Sequence, residues 1–227
     1  MKYFPMWGGN KWTVSMVKKY WFFSSHYIPA FKVIKPSKKI FEGLNFLKMI
    51  IINKELQLQP ILSKDVFILQ NLMKDIYPFA YKHFWRDSGN FYINSQYSKE
   101  NIIKELSQEK TEYYFIVFNK EIIGNLRVIW GAELKNLAIK RQVKLHRIYL
   151  HPKTHNKGLG KTILSWLETE AKNKGYRALW LDAMVEQEDS FKFYKKRGFI
   201  YHSHIHLDFE LMYDDFKKMS QIYKLLS

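Results

Sequence analysis

The sequence predicts an α+β fold, and two observations carry that prediction. Two β-rich runs, Tyr113–Phe118 and Ile122–Trp130, are joined by a short Asn-Lys-Glu segment, which indicates an antiparallel hairpin. Further along, the alternating run Val143–Leu150, the amphipathic segment Gly160–Lys174 and the apolar run Ala178–Ala183 follow one another as strand, helix and strand. A hairpin and a strand–helix–strand unit in one chain indicate mixed strand pairing.

The elements before the hairpin are predicted from caps and periodicity. Glu55–Pro60 alternates like a short strand, and Ser63 is placed to cap a helix that ends before Pro78. Tyr81–Tyr97 is aromatic, polar and loop-like, and Ser98 then caps a second helix. The apolar positions at helical spacing in these two helices are Val66, Leu69, Leu72, Met73 and Ile76, then Ile102, Ile103 and Leu106.

The C-terminal part is predicted to contain two helices and two strands. Ser190–Lys196 has the pattern of a short helix that stops before a glycine. Phe199–His206 and Leu207–Tyr213 are predicted strands, and Asp214–Leu226 is a predicted terminal helix with acids at its start. Lys135–Arg141 interrupts the regular pattern as a basic loop.

Composition places the chain among globular proteins. Its 227 residues are 47% hydrophobic and 17% aromatic, with 10 Gly and 6 Pro, so a buried core is expected and disorder of the whole chain is excluded. This length suits one domain of roughly 150 residues with an appendage. The absence of Cys excludes disulfides, thiolate metal sites and a cysteine nucleophile, and it fits a reducing, cytoplasmic location.

The net charge of +16 indicates an anionic partner such as nucleic acid, acidic lipid or a phosphorylated ligand, and it is unevenly distributed. Residues 1–48 hold nine Lys and one acid, together with twelve aromatic residues of no regular period. The longest uncharged run there, Tyr20 to Phe31, is shorter than the roughly 20 apolar residues of a membrane span. Lys18 and Lys19 also interrupt the apolar stretch that a signal peptide needs.

Three hypotheses remain for the extension 1–48. It is an arm that binds a membrane surface or nucleic acid, an ordered helical appendage, or upstream sequence before a true start at Met49. The remaining residues, 49–227, form the expected domain.

A glycine-containing segment, His155-Asn156-Lys157-Gly158-Leu159-Gly160-Lys161-Thr162, lies between a predicted strand and an amphipathic helix. Free N–H groups at such a helix start bind phosphate. A nucleoside-triphosphatase phosphate loop would require Gly at the position of His155. Too little chain also follows Asp182 to complete the sheet of such an enzyme, so this interpretation is disfavoured.

Three motifs in order resemble the GNAT superfamily of acetyl-CoA-dependent N-acetyltransferases. They are the strand ending in Leu150-His151-Pro152, the HNKGLGKT loop with its helix, and the FYKKRGF block from Phe193 to Phe199. The resemblance covers roughly residues 49–227. The sequences of its motifs are most similar to those of bacterial polyamine and small-amine members. It implies a mixed, mostly antiparallel central sheet flanked by helices, and acetyl-CoA as the acyl donor without a metal.

The resemblance also implies a binding site for the donor. The residues that it places against coenzyme A are Ile148, Leu150, His155, Asn156, Lys157, Gly158, Leu159, Gly160, Lys161, Thr162, Gln187 and Tyr194. The chain departs from the family pattern at His155, where Gln or Arg is usual, and at Gln187 and Ser190, where Asn and Ala are usual.

Two catalytic residues are expected. The resemblance makes Tyr194 the general acid that protonates the departing thiolate, a role that suits a phenol with a pKa of about 10. The backbone N–H of Leu150, on a bulged strand, is expected to meet the oxyanion. Lys144, His146, Ile148 and Leu150 are predicted to share one strand face, and His146 is the candidate general base.

His202, His204 and His206 alternate along a predicted strand, but the outer two would be about 13 Å apart, so a solvated face is preferred to a metal site. The segment from Asp182 to Asp215 holds eight acids and four bases, which favours a cationic acceptor such as a polyamine, an aminoacyl N-terminus or a lysine. Nucleic acid is then not needed to explain the charge, and a homodimer is compatible with the resemblance. The alternative is a non-catalytic acyl-CoA-binding or nucleic-acid-associated basic module.

Overall fold

One eight-stranded sheet organises the chain, with strand order β1-β2-β3-β4-β5-β6-β8-β7. The computed structural model describes residues 49–226. Only β5 and β6 pair in parallel, and all other neighbours are antiparallel. The strands are β1 Ile50–Ile51, β2 Leu56–Pro60, β3 Thr111–Phe118, β4 Glu121–Trp130, β5 Gln142–Leu150, β6 Ala178–Met184, β7 Ile200–His206 and β8 Lys218–Leu225.

Helices cover both faces of this sheet. Their bounds are α1 Val66–Tyr81, α2 Asn90–Gln96, α3 Lys99–Ser107, α4 Leu159–Asn173 and α5 Glu188–Lys196. One core, which includes Leu69, Met73 and Phe115, lies between the sheet and α1–α3. The other, which includes Ile163 and Leu167, lies under α4 and α5. The predicted α+β fold with a mixed, mostly antiparallel sheet flanked by helices is confirmed.

The hairpin and the central strand–helix–strand unit form as predicted. Asn119 and Lys120 adopt left-handed backbone angles, with φ of 49° and 68°, as a tight turn between twisted antiparallel strands requires. Ser98 caps α3, because its Oγ accepts the Asn101 N–H at 3.1 Å.

The loop predicted over Tyr81–Tyr97 is wrong. A 3-10 turn at Lys82–Phe84 and the helix α2 occupy most of it. The carboxylate of Asp87 accepts the backbone N–H groups of Gly89 and Phe91 and so caps the start of α2. Two aromatic residues of the segment, Trp85 and Tyr92, contact Tyr77 of the neighbouring helix α1.

The first helix also differs from its prediction at both ends. It begins at Val66, after a 3-10 turn at Ser63–Asp65, and it passes through Pro78 to Tyr81. A proline in the last turn removes a single helical N–H, so the cost is small where tertiary packing continues the helix.

Two of the four C-terminal predictions are confirmed, since the short helix forms as α5 and the strand ending at His206 forms as β7, and the last two are wrong. Leu207–Tyr213 is not a strand, and Asp214–Leu226 is not a helix: a 3-10 turn at Asp214–Phe216 leads into β8. Met219, Ile222 and Leu226 mimic helical spacing in the sequence. In the fold, β8 lies between β6 and β7 and pairs with both, so its backbone groups are satisfied by two ladders.

Among residues 49–226, no helix has the length and apolar character needed to cross a bilayer. The predictions for residues 1–48 lie outside the described residues.

Candidate active site

A cleft opens in the sheet where β5 and β6 separate. The two strands pair only from Gln142 with Ala178 to Lys144 with Trp180. On its other edge β5 carries a bulge at His146, because the neighbouring pairs on β4 are made by Leu145 and Arg147. A bulge bends and twists a strand, so β5 turns away from β6 beyond this point.

The bulge also changes which side chains share a face, and the predicted common face of Lys144, His146, Ile148 and Leu150 is wrong. Lys144 lies on the α1–α3 face, where its Nζ is 2.6 Å from Asp182 and 4.2 Å from the Trp180 ring centroid. Ile148 and Leu150 pack against the opposite core. The extra residue shifts the two-residue alternation of the strand by one.

Backbone donors of β5 point into the cleft. The His151 N–H donates to the Ile123 carbonyl on the β4 side, at 2.7 Å. Because consecutive strand residues direct their N–H groups to opposite edges, those of Leu150 and Ile148 face the β6 side. Neither residue pairs with β6, so both donors meet the open cleft.

The loop before α4 presents a row of unused backbone donors. The His155 N–H bonds the Pro152 carbonyl, and helical bonding begins with the Thr162 N–H to the Gly158 carbonyl at 3.0 Å. Between them, the N–H groups of residues 156–161 have no partner within the described chain. Asn156 and Gly158 adopt left-handed angles, with φ of 61° and 73°. Free donors at a helix start form an anion-binding site, so this loop fits a phosphorylated ligand.

The side chains of this loop are mostly exposed, and they make fewer defined contacts than its backbone does. Leu159 is the exception, since its side chain is buried in the core and only its N–H is available to a ligand. The Lys157 Nζ lies 5.4 Å from the Phe118 ring centroid, and the Thr162 hydroxyl donates to the Gly158 carbonyl. His155, Asn156 and Lys161 are exposed at the same site.

Helix α5 borders the cleft from the β6 side. The Tyr194 ring is partly buried, and its centroid is 5.4 Å from that of Phe199. Burial raises the pKa of Tyr194 above its ordinary value, so the phenol keeps its proton at neutral pH. Gln187 Nε2 donates to the Ala80 carbonyl at 2.9 Å and ties the start of α5 to α1, which leaves its amide oxygen and one N–H for a ligand.

The environment of His146 disfavours its predicted role as general base. Arg127 Nη1 lies 2.9 Å from its Nδ1, and the ring is mostly buried. Burial, reinforced by Arg147, Arg127 and Lys144, lowers the pKa of His146 to about 2. An imidazole with so low a pKa accepts a proton poorly at neutral pH.

On the α1–α3 side, the cleft widens into a cavity of about 280 Å³ with a wall of tyrosines. This tyrosine wall consists of Tyr77, Tyr81, Tyr92 and Tyr149. Tyr77 stacks on Tyr81 and Tyr92, with ring centroids 4.8 and 4.5 Å away, and the Tyr92 and Tyr149 hydroxyls are 3.3 Å apart. Sequence reasoning missed these residues, although the helical spacing of Tyr77 and Tyr81 was a usable signal.

Charged side chains form another part of the cavity wall, and they too were missed. Arg147 borders the cavity, and its Nη1 is 2.6 Å from Glu105 Oε2. Arg127 Nη1 is 3.0 Å from the other oxygen of Glu105. All three groups are nearly or fully buried, with side-chain exposures of 3% to 11%.

The acidic residues between Asp182 and Asp215, which were expected to attract a cationic acceptor, do not cluster around the cavity. Of its acids only Asp182 borders the cavity, and Lys144 and Gln221 engage its carboxylate. The histidines of β7 make local contacts, as when the His202 Nε2 meets the Lys135 carbonyl at 2.9 Å. Residues 49–226 contain no cluster of three or more His, Asp or Glu that would hold a metal.

Comparison with known proteins identifies the fold. The model of the acetyltransferase (GNAT) family matches residues 70–199, which is more than half of the chain. The chain belongs to the GNAT family. The match includes β5, the loop before α4, α4, β6 and α5, which are the elements that build the cleft.

Individual GNAT proteins resemble the chain at lower identity. A spermidine N(1)-acetyltransferase of Thermoplasma acidophilum is 33% identical over 110 residues, which is 48% of this chain and 65% of that protein. The chain thus matches less than two thirds of that curated relative's length.

Solved GNAT structures share the fold. The PaiA N-acetyltransferase of Thermoplasma acidophilum in complex with coenzyme A is 20% identical, with a TM-score of 0.57, covering 75% of this chain and 98% of that one. A ribosomal alpha-N-protein acetyltransferase in complex with coenzyme A is 15% identical, with a TM-score of 0.58, covering 79% and 98%.

Proposed function

We propose that the protein is an N-acetyltransferase that moves an acetyl group from acetyl-CoA to a primary amine within a ternary complex. The observation that carries the proposal is the row of free N–H groups at residues 156–161, which lies beside the cleft between β5 and β6. A Cβ on Gly160 would be 3.7 Å from the Leu150 side chain, so the loop adjoins the strand end whose N–H faces the cleft.

The donor fits the side of the cleft under α4 and α5. The free N–H groups suit the pyrophosphate of coenzyme A, and the open edge at Ile148 and Leu150 suits the pantetheine arm. The coenzyme is a multiply phosphorylated anion, which agrees with the positive charge of the domain. GNAT relatives crystallised with coenzyme A support this assignment.

The chemistry follows from the groups around the cleft. The amine nitrogen attacks the thioester carbonyl carbon, and a C–N bond forms while the oxygen becomes an oxyanion near the Leu150 N–H. The C–S bond then breaks, and its electron pair remains on sulfur. Tyr194 donates its proton to that thiolate, while the amine loses its proton to water.

The acceptor lies in the cavity lined by the tyrosine wall. A volume of about 280 Å³ suits a small amine or the end of a longer one, including a polyamine, an N-terminus or a lysine side chain. Its relatives include a spermidine enzyme and a ribosomal alpha-N-protein enzyme, which represent the polyamine and N-terminal acceptors. We also propose that residues 49–227 are the working domain and that it acts in the cytoplasm.

Release of the coenzyme A thiol tests the proposal. The protein is incubated with acetyl-CoA and a panel of small amines, polyamines, amino acids and peptides, and free thiol is measured with and without each amine. Amine-dependent release supports the proposal. Salt-dependent nucleic-acid binding without thiol release would instead favour the non-catalytic basic module.

A further inference from the structure

The buried charges next to the tyrosine wall do not balance. Arg127 and Arg147 share the single carboxylate of Glu105, at 3.0 and 2.6 Å. Asp182, which borders the cavity, is neutralised by Lys144. These five described charged groups therefore sum to one excess positive charge.

The two arginines differ in how they are used. Arg127 Nη1 contacts both Glu105 and His146, its Nη2 donates to Gln108 at 2.7 Å, and it does not line the cavity. Arg147 lines the cavity, and within residues 49–226 its hydrogen bond to a described side chain uses only Nη1. The Tyr113 hydroxyl also interacts with Arg147, and the other donors of the Arg147 fork are available on the cavity side.

Two contacts hold Arg147 in place. Glu105 fixes one nitrogen, and the Tyr97 ring lies under the guanidinium, 5.0 Å from centroid to Cζ. A buried guanidinium with excess charge is costly unless an anion compensates it, and a planar fork held in one orientation suits a carboxylate.

We propose that Arg147 binds a carboxylate on the acceptor, so that the amine substrate belongs to the amino-acid class rather than to the polyamines. This inference rests on the proposed function and deepens it. The tyrosine wall beside Arg147 gives an apolar, aromatic surface for the side chain of such an acceptor. The excess positive charge also favours the neutral form of the amine that must attack, and the carboxylate of Asp182 at the cavity is already engaged by Lys144 and Gln221.

The test compares matched acceptors and matched variants. Thiol release is measured with L-leucine and L-leucinamide, and with L-phenylalanine and L-phenylalaninamide, because each pair differs in the carboxylate. The variants are Arg147→Gln, Arg147→Lys and the control Arg127→Gln, which removes one charge from the same cluster but not from the cavity. Each single Arg→Gln change leaves one Arg paired with Glu105, so the buried carboxylate keeps a partner, and the melting temperature checks folding.

We expect the ratio of kcat/KM for acid over amide to fall at least about 10-fold in Arg147→Gln. The ratio should fall less in Arg147→Lys, which keeps the charge without the fork, and should change less than about threefold in Arg127→Gln. An unchanged ratio in Arg147→Gln, or an equal fall in Arg127→Gln, overturns the proposal. So does a wild-type preference for polyamines over all amino acids.

A binding experiment distinguishes failure of this proposal from failure of the proposed function. Calorimetry in the presence of coenzyme A measures binding of N-acetyl-L-leucine and N-acetyl-L-leucinamide to the wild type and to Arg147→Gln. If no amine releases thiol, the proposed function fails, but binding of the acid that is lost in Arg147→Gln still supports the carboxylate site. Equal binding of acid and amide, or no binding of either, overturns it.

Discussion

The guanidinium of Arg127 contacts the ring of His146, with 2.9 Å between Nη1 and Nδ1. This contact lies at the bulge of β5. His146, the extra residue at which β5 bends away from β6, is therefore held by Arg127 on the neighbouring strand β4. The low pKa of His146 keeps its ring neutral in the wall of the cleft, where it accepts from Arg127.

A first prediction concerns catalysis by His146. His146→Gln keeps an acceptor for Arg127, so kcat/KM should stay within about threefold of the wild type at every pH from 6 to 9. The pH profile of thiol release checks this. A loss of roughly 100-fold, together with loss of an inflection near pH 6.5, would restore His146 as the base.

A second prediction concerns stability and pH. The pKa of His146 is about 2 in the fold and about 6.5 in the unfolded chain, so between these values only the unfolded chain binds the proton. Stability is therefore lost as the pH falls below about 6.5. Between pH 7 and pH 5 this residue alone removes about 2 kcal/mol of the free energy of unfolding. Urea denaturation at both pH values should show a smaller loss in His146→Gln, and equal losses would contradict the assignment.

A third prediction concerns Tyr194. Tyr194→Phe keeps the ring that packs on Phe199 but removes the proton, so kcat should fall roughly 100-fold while KM for acetyl-CoA changes little. Because the pKa of Tyr194 is raised, the wild type should show no loss of activity from its ionisation below pH 10. Steady-state kinetics with varied acetyl-CoA provide the check. A higher KM at unchanged kcat would make Tyr194 a binding residue instead.

A fourth prediction concerns the free N–H groups before α4. Gly160→Asp places a carboxylate beside them, with its Cβ in ordinary contact with Leu150, so coenzyme A should bind about 10-fold more weakly or worse. Thr169→Asp adds the same charge to an exposed position near the other end of α4 and should change affinity less than about twofold. Calorimetry with coenzyme A measures both, and equal effects would indicate that net charge matters rather than the loop.

A fifth prediction concerns the domain boundary. All the described residues that form the cleft, the loop and the tyrosine wall lie after Met49, so a chain that starts at Met49 should keep kcat/KM within about twofold. Thiol release by the two proteins side by side checks this. An inactive but folded short chain would show that residues 1–48 contribute to the site.

Elements set by local chemistry could be predicted from the sequence. The hairpin turn, the Ser98 cap and α4 with its loop depend on neighbours within a few residues, and they form as expected. β8 could not be predicted, because its pairing with β6 and β7 is decided by distant chain and overrides its helical spacing. Helix α2 was missed because Asp87, whose carboxylate caps it, looks like a turn residue in the sequence.

The same distinction between local and distant determinants applies to the candidate site. The proposed donor side depends on a local motif, so the loop before α4 and the helix that carries Tyr194 could be predicted from the sequence. The acceptor side depends on the bulge at His146, which brings Arg147 and Tyr149 to the α1–α3 face of the sheet and places Ile148 and Leu150 against the opposite core. A strict two-residue alternation would place each of those four residues on the face opposite to the one it occupies. The charged part of the cavity wall therefore could not be predicted.

The central claim is that the chain transfers acetyl groups from acetyl-CoA to amines. Its most direct test is the stoichiometry between free coenzyme A thiol and N-acetylated amine, measured in one reaction by thiol titration and by mass spectrometry of the acceptor. The account predicts one acetylated amine for each thiol released, at a rate that falls with Tyr194→Phe. Thiol release that is independent of any amine, or no release with any member of the panel, would contradict it.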